Sequence, residues 1–331
     1  LSKVTSFGFV IGTVLPGIIV IVLGIVWIAM KKPLGFEELT AAETTVAKVV
    51  NGTVTPRWFP DLTNLNNLSY LAGIILLFAG VEVQAVHASE MKNPKKQYPL
   101  AILISAVIVF ALFTFGSIAI AAVVPNSQLQ IESGLMQALS TMLKSVKMSW
   151  ALPVLAFCVA FGSLAGVLSW ISGPSKGLLS TAKEGVLPEV LAETTKAGAP
   201  KNMMLIQGLI VTVLACLYFV MKDVSVAFFL LSALTVAVYI IMYLMMYAAA
   251  IVLRKKQPNL ERPYKAPALP LIAGIGIIAA IIGLVLSFVP PAQLPIGNPA
   301  SYIAIVTVGT VGFLVIPLII ATVRKSKIKQ D

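Results

Sequence analysis

Residues 76–91 read Leu76-Leu77-Phe78-Ala79-Gly80-Val81-Glu82-Val83-Gln84-Ala85-Val86-His87-Ala88-Ser89-Glu90-Met91, and they hold a contradiction. The segment begins as an apolar membrane span and carries a carboxylate in its middle. On insertion scales an acidic side chain at mid-bilayer costs about 2.5–3.5 kcal/mol, so it faces a cavity or a partner. The glycine two residues earlier weakens a helix by about 1 kcal/mol relative to alanine. Together they predict a helix that breaks around Ala79-Gly80-Val81 and frees backbone groups inside the membrane. Such backbone is tolerated only where it lines protein or a water-filled cavity. The half-helix after the break presents N–H donors and partial positive charge to a substrate carboxylate, and the end before it favours an ammonium. A zwitterion fits such a break. Glu82 is then a proton-sensitive gate or a partner for another helix. The alternative is a small-residue packing site with a hydrogen-bonded structural glutamate.

The surrounding chain supports the membrane reading. Of 331 residues 58% are hydrophobic and only 11% charged, with a mean hydropathy of +0.96. A soluble domain carries about a quarter charged residues, so a soluble enzyme, a disordered regulator and a coiled coil are excluded. A spanning helix needs about 20 mostly apolar residues. Eight stretches qualify, at 7–30, 69–91, 99–124, 149–172, 203–221, 225–253, 269–289 and 301–323. The fold class is an all-α polytopic membrane protein with eight transmembrane helices.

Charge sets the orientation. The net charge of +11 comes from short basic segments between the spans, so topology explains it better than nucleic-acid binding. Lys3, the groups around Lys92, Lys176 and Arg254, and the end at Lys329 fall on one side. Lys31, Lys32, Lys48, Arg57, Lys144, Lys147 and Lys222 fall on the other. The positive-inside rule places the richer side, with both ends of this chain, in the cytoplasm. The 31–68 segment is then an outer loop, with a sequon at Asn51-Gly52-Thr53 that matters only in a secretory pathway. In the outer loop 125–148, Leu135, Met136, Leu139, Met142 and Leu143 recur at helical spacing and predict a short amphipathic helix. The inner loop 173–202 is too polar to span and is expected to be partly helical. Cys158 and Cys216 sit deep in apolar runs and read as ordinary lipid- or core-facing residues. The chain begins at Leu1, close to an apolar run, so a preceding segment is expected.

Other spans offer partners for the break. Trp170 follows Gly162 and Gly166, whose spacing is a small-xxx-small packing pattern. Tyr239, Tyr243 and Tyr247 recur every four residues on one helix face. Their hydroxyls need partners, from a cavity or from a helix interface. His87, the one histidine, is a pH sensor or an interhelical donor. No Gly-rich phosphate loop, metal-spaced His/Cys cluster or nucleophile–base pair appears, so neither an enzyme nor a cofactor is expected. A channel would more often show a pore loop or a ring of like charges. A channel and a non-transporting membrane receptor both stay open.

The run Phe78-Ala79-Gly80-Val81-Glu82, followed by His87, Glu90-Met91, Asn93-Pro94 and Tyr98-Pro99-Leu100, closely resembles the broken helix of bacterial glutamate/GABA antiporters. These belong to the amino acid–polyamine–organocation superfamily. Ser169-Trp170-Ile171, Gly173-Pro174-Ser175-Lys176-Gly177, Leu234-Thr235-Val236 and Ser287-Phe288-Val289-Pro290-Pro291 extend the resemblance along the chain. It implies a twelve-helix fold of two inverted five-helix repeats and two further helices. The span 1–30 is then the fifth helix and 69–253 the second repeat. A basic cytoplasmic loop at 254–268 leads to two C-terminal spans within 269–323 and a tail at 324–331. The resemblance makes Ala79, Gly80, Val81, Glu82 and Val83 line the substrate site, with Glu82 the proton-sensitive gate and Trp170 an aromatic gate. Tyr239 and Tyr243 match tyrosines beside the transport path. The implied activity is exchange of glutamate for GABA in the bacterial inner membrane by alternating access. It would support acid resistance alongside a soluble decarboxylase. Related antiporters exchange tyrosine/tyramine or agmatine/putrescine. The glutamate/GABA pattern has an acidic residue four positions before the tryptophan, where this chain has Gly166, and an acid-activated member has a C-terminal plug that this chain does not show. The 331-residue chain alone is expected to be inactive.

Overall fold

A computed structural model describes residues 2–37, 47–50, 52–56, 68–83, 85, 91–130, 132–221, 223–262, 264–291 and 297–328. Seven helices among them are long and apolar enough to cross a membrane. Seven of the eight expected spans are therefore continuous, and the remaining one is the interrupted segment. The chain divides into two compact units. One comprises residues 1–60 and 103–174, the other 61–102 and 175–331.

In the first unit the opening span is α1 (Ser2–Phe9), a π-helical turn at Val10–Val14 and α2 (Leu15–Ala29). Pro16 has no N–H to give the Gly12 carbonyl four residues back. The preceding turn widens accordingly, and the Leu15 N–H donates to the Val10 carbonyl five residues back. Two short strands follow, β1 (Ala47–Val50) and β2 (Thr53–Pro56), paired antiparallel with Val50 opposite Thr53. The sequence reading made this stretch plain loop and treated Asn51-Gly52 as a sequon. The same dipeptide between β-branched residues is a strong two-residue hairpin signal, because the turn needs positive φ. Gly52 adopts φ 78°.

The long helix α4 (Pro94–Val123) follows the broken segment, whose first half is α3 (Tyr70–Phe78). Helix α4 starts five residues before the expected boundary. Pro99 lies in its second turn, where it forfeits only a bond to the Lys95 carbonyl. The expected amphipathic helix is α5 (Gly134–Ser145). Its Leu139, Met142 and Leu143 are buried with Val20, Trp27, Ala119 and Leu155 in the core of this unit. The Trp27 indole N–H donates to the Pro33 carbonyl at 3.0 Å.

The next helix, α6 (Leu152–Lys183), corrects the expected end of the fourth span. It runs on through Gly173-Pro174 for eleven more residues, so the polar inner loop starts as helix. Gly12 and Gly162 meet backbone to backbone, and Gly8 faces Ala165. Gly166 meets nothing within 4 Å, so only one of the two expected packing glycines is in contact. A Cβ at Gly12 would strike the Gly162 backbone. Gly12→Ala is expected to destabilise by about 1–3 kcal/mol, whereas Gly166→Ala gains up to about 1 kcal/mol of helix propensity. Thermal unfolding of the two variants in detergent distinguishes them.

The second unit holds α3, the early turns of α4 and the end of α6. It continues with α7 (Lys201–Ala215), α8 (Leu217–Val220), α9 (Val224–Lys256), α10 (Leu269–Ser287) and α11 (Pro299–Ile328). The fifth expected span has one turn residue, Cys216, between α7 and α8 and still runs as a single spanning helix over Lys201–Val220. Helix α9 has the largest buried share of the spans. It packs on α3, α10 and α11, with Ala72, Val236, Ile240, Ala280 and Leu286 forming one core cluster. Leu230, Ala233, Tyr302 and Val306 form another. Asp223 starts α9. Its carboxylate accepts from the backbone N–H groups of Ser225 at 2.8 Å and Val226 at 3.2 Å. Asp223→Ala is expected to cost about 0.5–2 kcal/mol, read as a lower unfolding temperature.

Candidate functional site

Helix α3 stops at Phe78, and a turn at Ala79-Gly80 leads into one 3-10 turn at Val81–Val83. Gly80 has φ 95°, a conformation that favours glycine. The Val83 N–H donates to the Gly80 carbonyl at 3.1 Å and closes the turn. A nine-residue helix rises roughly 13 Å, less than half of a hydrocarbon core of about 30 Å. This helix cannot cross a membrane alone, and the interruption falls within the span that the sequence reads over 69–91.

Glu82 leaves this turn half-buried and is held from α9. The Tyr239 hydroxyl donates to Glu82 Oε1 at 2.6 Å. The Tyr243 hydroxyl donates to Oε2 at 2.9 Å. Helical spacing of four puts the two phenols one turn apart on the same face, and each takes one carboxylate oxygen. Their rings meet edge to face, 5.2 Å between centroids at 80°. Charge-assisted bonds of this kind are worth about 1.5–3 kcal/mol each, enough between them to offset the desolvation of a carboxylate at this depth.

Tyr247 takes no part in the pair. Its ring tilts against Tyr243 at 6.3 Å and lies beside Gly276 of α10, so it packs two helices together. The alternatives left open by the tyrosine spacing thus divide within one row. Trp170 lies in α6, in the other unit, and is 45% exposed. His87 and Glu90 lie outside the described residues, and so does Gln84. Ala79, Gly80, Val81 and Val83 form the turn around Glu82.

Two features escaped the sequence reading. Tyr98, near the start of α4, lies within Coulombic reach of Glu82. Tyr239 also lines an open crevice of about 430 Å³ with Leu214, Tyr218, Thr235 and Phe313. Among the described residues no group of His, Cys, Asp or Glu could hold a metal ion.

A carboxylate at a broken intramembrane helix, latched by two phenols, suits the handling of a charged solute. The sequence pattern of amino acid permeases matches residues 1–311. The chain belongs to the amino acid permease family. This permease is 38% identical over 324 residues to an uncharacterised transporter of Legionella pneumophila, covering 97% of the chain and 66% of the relative. It is 32% identical over 326 residues to a glutamate/gamma-aminobutyrate antiporter of Lactococcus lactis, covering 96% of the chain and 62% of the relative. A probable agmatine/putrescine antiporter of the same species is 26% identical over 268 residues, covering 76% and 54%. The permease chain thus spans about two thirds of the length of the first two relatives. It is a multi-pass membrane protein of a transporter family, and the relatives named here are transporters rather than enzymes.

Proposed function

We propose that this permease is an amino-acid antiporter exchanging glutamate for GABA across a bacterial inner membrane. The observation that carries the reading is the latch of Glu82 on Tyr239 and Tyr243 at the helix break, supported by the glutamate/GABA antiporters among its relatives. Substrate binds at the freed backbone of residues 79–83, and Trp170 keeps the role of aromatic gate that the family resemblance implies. With Glu82 ionised, both oxygens accept and the break is held to α9. A proton on Glu82 turns one acceptor into a donor, so one of the two bonds is lost or reversed and the latch loosens. Exchange then rises in acid. A soluble decarboxylase that consumes a proton while turning glutamate into GABA would make each cycle export one proton equivalent, which is acid resistance.

A second reading has a specific observation behind it. Gly166 offers no side chain where the glutamate/GABA pattern has an acid, and the space around it is open. Exchange of another amino acid/amine pair, such as agmatine/putrescine or tyrosine/tyramine, fits that difference. The test is reconstitution of the complete gene product into liposomes preloaded with GABA, with uptake of labelled glutamate followed at mildly acidic and at neutral pH. Uptake that requires internal GABA and increases in acid is the expected result. Uptake with empty liposomes, or none with GABA inside, removes this pair, and internal agmatine or tyramine is tried next.

A further inference from the structure

Helix α9 ends in Arg254-Lys255-Lys256, and the segment 257–268 that joins it to α10 adds Arg262 and Lys265 against a single acid, Glu261. The two arginines have an internal task. Arg262 folds back over the end of α9, its Nη2 donating to the carbonyls of Leu253 at 3.1 Å and Gln257 at 2.8 Å. Its Nη1 donates to the Leu260 carbonyl at 3.1 Å. Arg254 Nη1 donates to the Ala266 carbonyl at 3.0 Å, which draws the far end of the segment, with Lys265, back onto the last turn of α9. Arg262 thus satisfies carbonyls at the negative end of the helix, and Arg254 ties the loop back to that end. The loop becomes an ordered cap.

The lysines are left over. Lys255, Lys256 and Lys265 are all exposed. Among the described residues none of the five cations forms an ion pair with a carboxylate, although Glu261 lies within the same segment. Retention of basic residues on one side of the membrane needs only their number. It does not need arginines that fix the loop so that three ammonium groups gather at one helix end. The segment joins two membrane-spanning helices directly, so these groups lie at the depth of the lipid headgroups. Tyr264, 59% exposed, adds an amphipathic ring of the kind found at that depth.

We propose that the cap formed by residues 254–268 is a docking surface for anionic phospholipid headgroups. Lys255, Lys256 and Lys265 engage the lipid phosphate, and Arg254 and Arg262 hold the surface in shape. Clustered cations immediately outside a transmembrane helix attract anionic lipid with a strength that falls with salt. The bound lipid steadies the junction of α9, which carries Tyr239 and Tyr243, with α10. This inference rests on the membrane placement of the chain and not on the exchanged substrates.

The experiment is thermal unfolding of the purified complete gene product in a neutral detergent with added phosphatidylglycerol, phosphatidylcholine or inorganic phosphate. Phosphatidylglycerol is expected to raise the unfolding temperature by a few degrees more than phosphatidylcholine, and high salt is expected to erase the difference. The triple variant Lys255→Gln, Lys256→Gln, Lys265→Gln loses this preference, and the matching Lys→Arg triple keeps it. Each single Lys→Gln variant loses part of it, which decides the matter should the triple variant not fold. Equal shifts with both lipids in the wild type overturn the proposal, as does a preference that survives the Gln triple. Inorganic phosphate reproducing the full shift overturns the lipid as the occupant.

Discussion

Glu82→Gln is expected to flatten the pH profile of exchange while leaving the protein folded. The stability side follows from opposed terms. Glutamine removes the desolvation cost of a mid-membrane carboxylate, about 2.5–3.5 kcal/mol. It keeps one carbonyl acceptor and forfeits a charge-assisted bond worth about 1.5–3 kcal/mol. The net change is within about 1 kcal/mol, and unfolding in detergent shows it as a small shift. The functional side has no such cancellation. In the proposed mechanism the latch of Tyr239 and Tyr243 on the two carboxylate oxygens opens when Glu82 takes a proton. Glutamine presents the one-acceptor form at every pH. Loss of one bond from the latched state shifts the populations about tenfold to a hundredfold. Exchange at neutral pH should therefore rise towards the acid value and stay there. The readout is the initial rate of glutamate/GABA exchange against pH in proteoliposomes. A profile that keeps the wild-type shape would assign the acid response to another group and reduce Glu82 to a structural role. Tyr243→Phe removes the same bond from the other side and should flatten the profile similarly, since the Glu82 carboxylate then accepts from Tyr239 alone.

What the sequence revealed of this arrangement follows from how far each signal reaches. Glu82 and Gly80 sit two residues apart in an otherwise apolar run, so the conflict between charge and membrane is local and visible. The four-residue spacing of Tyr239, Tyr243 and Tyr247 fixes a shared helix face, and that too can be read directly. Which of the three meets Glu82 depends on the height at which α9 crosses α3, a matter of packing by Ala72, Val236 and Ile240 that no periodicity encodes. The sequence shows that the polar stretch after Ile171 is partly helical, but Gly173-Pro174 and the lysines beyond it hide that it continues α6 without a stop. Helix continues there because Leu179 and Ala182 are buried with Leu187 and Met203 in a small core, and tertiary burial outweighs propensity. The β-hairpin was legible in Asn51-Gly52 and was read for its glycosylation chemistry instead of its turn geometry. The role of Arg254 and Arg262 lay hidden, because the carbonyls they satisfy appear only once the loop folds back.

Gly80→Val should abolish exchange, and for a reason that separates the break from the residues beside it. Gly80 sits at φ 95°. A left-handed conformation costs an ordinary residue about 1–2 kcal/mol, and a β-branched side chain makes it a steric outlier. Valine there drives the backbone towards ordinary helical angles, so α3 would continue past Phe78. Four residues further on, Glu82 would then stack roughly above Phe78, since four helical steps exceed one full turn by about 40°. Phe78 is 39% exposed and lies outside the buried cluster through which Ala72 meets α9. The carboxylate would leave Tyr239 and Tyr243 and face the surroundings of the helix unpaired, at the insertion cost its partners now offset. Exchange in proteoliposomes should fall to the level of empty vesicles, accompanied by a lowered unfolding temperature. Gly73→Ala is the matched control. It lies in α3 with nothing within 4 Å of an added Cβ, so it should gain up to about 1 kcal/mol of helix propensity and exchange at the wild-type rate. If Gly80→Val also exchanges normally, transport does not depend on the interruption of this helix. The substrate would then have to be held by groups other than the freed backbone at residues 79–83.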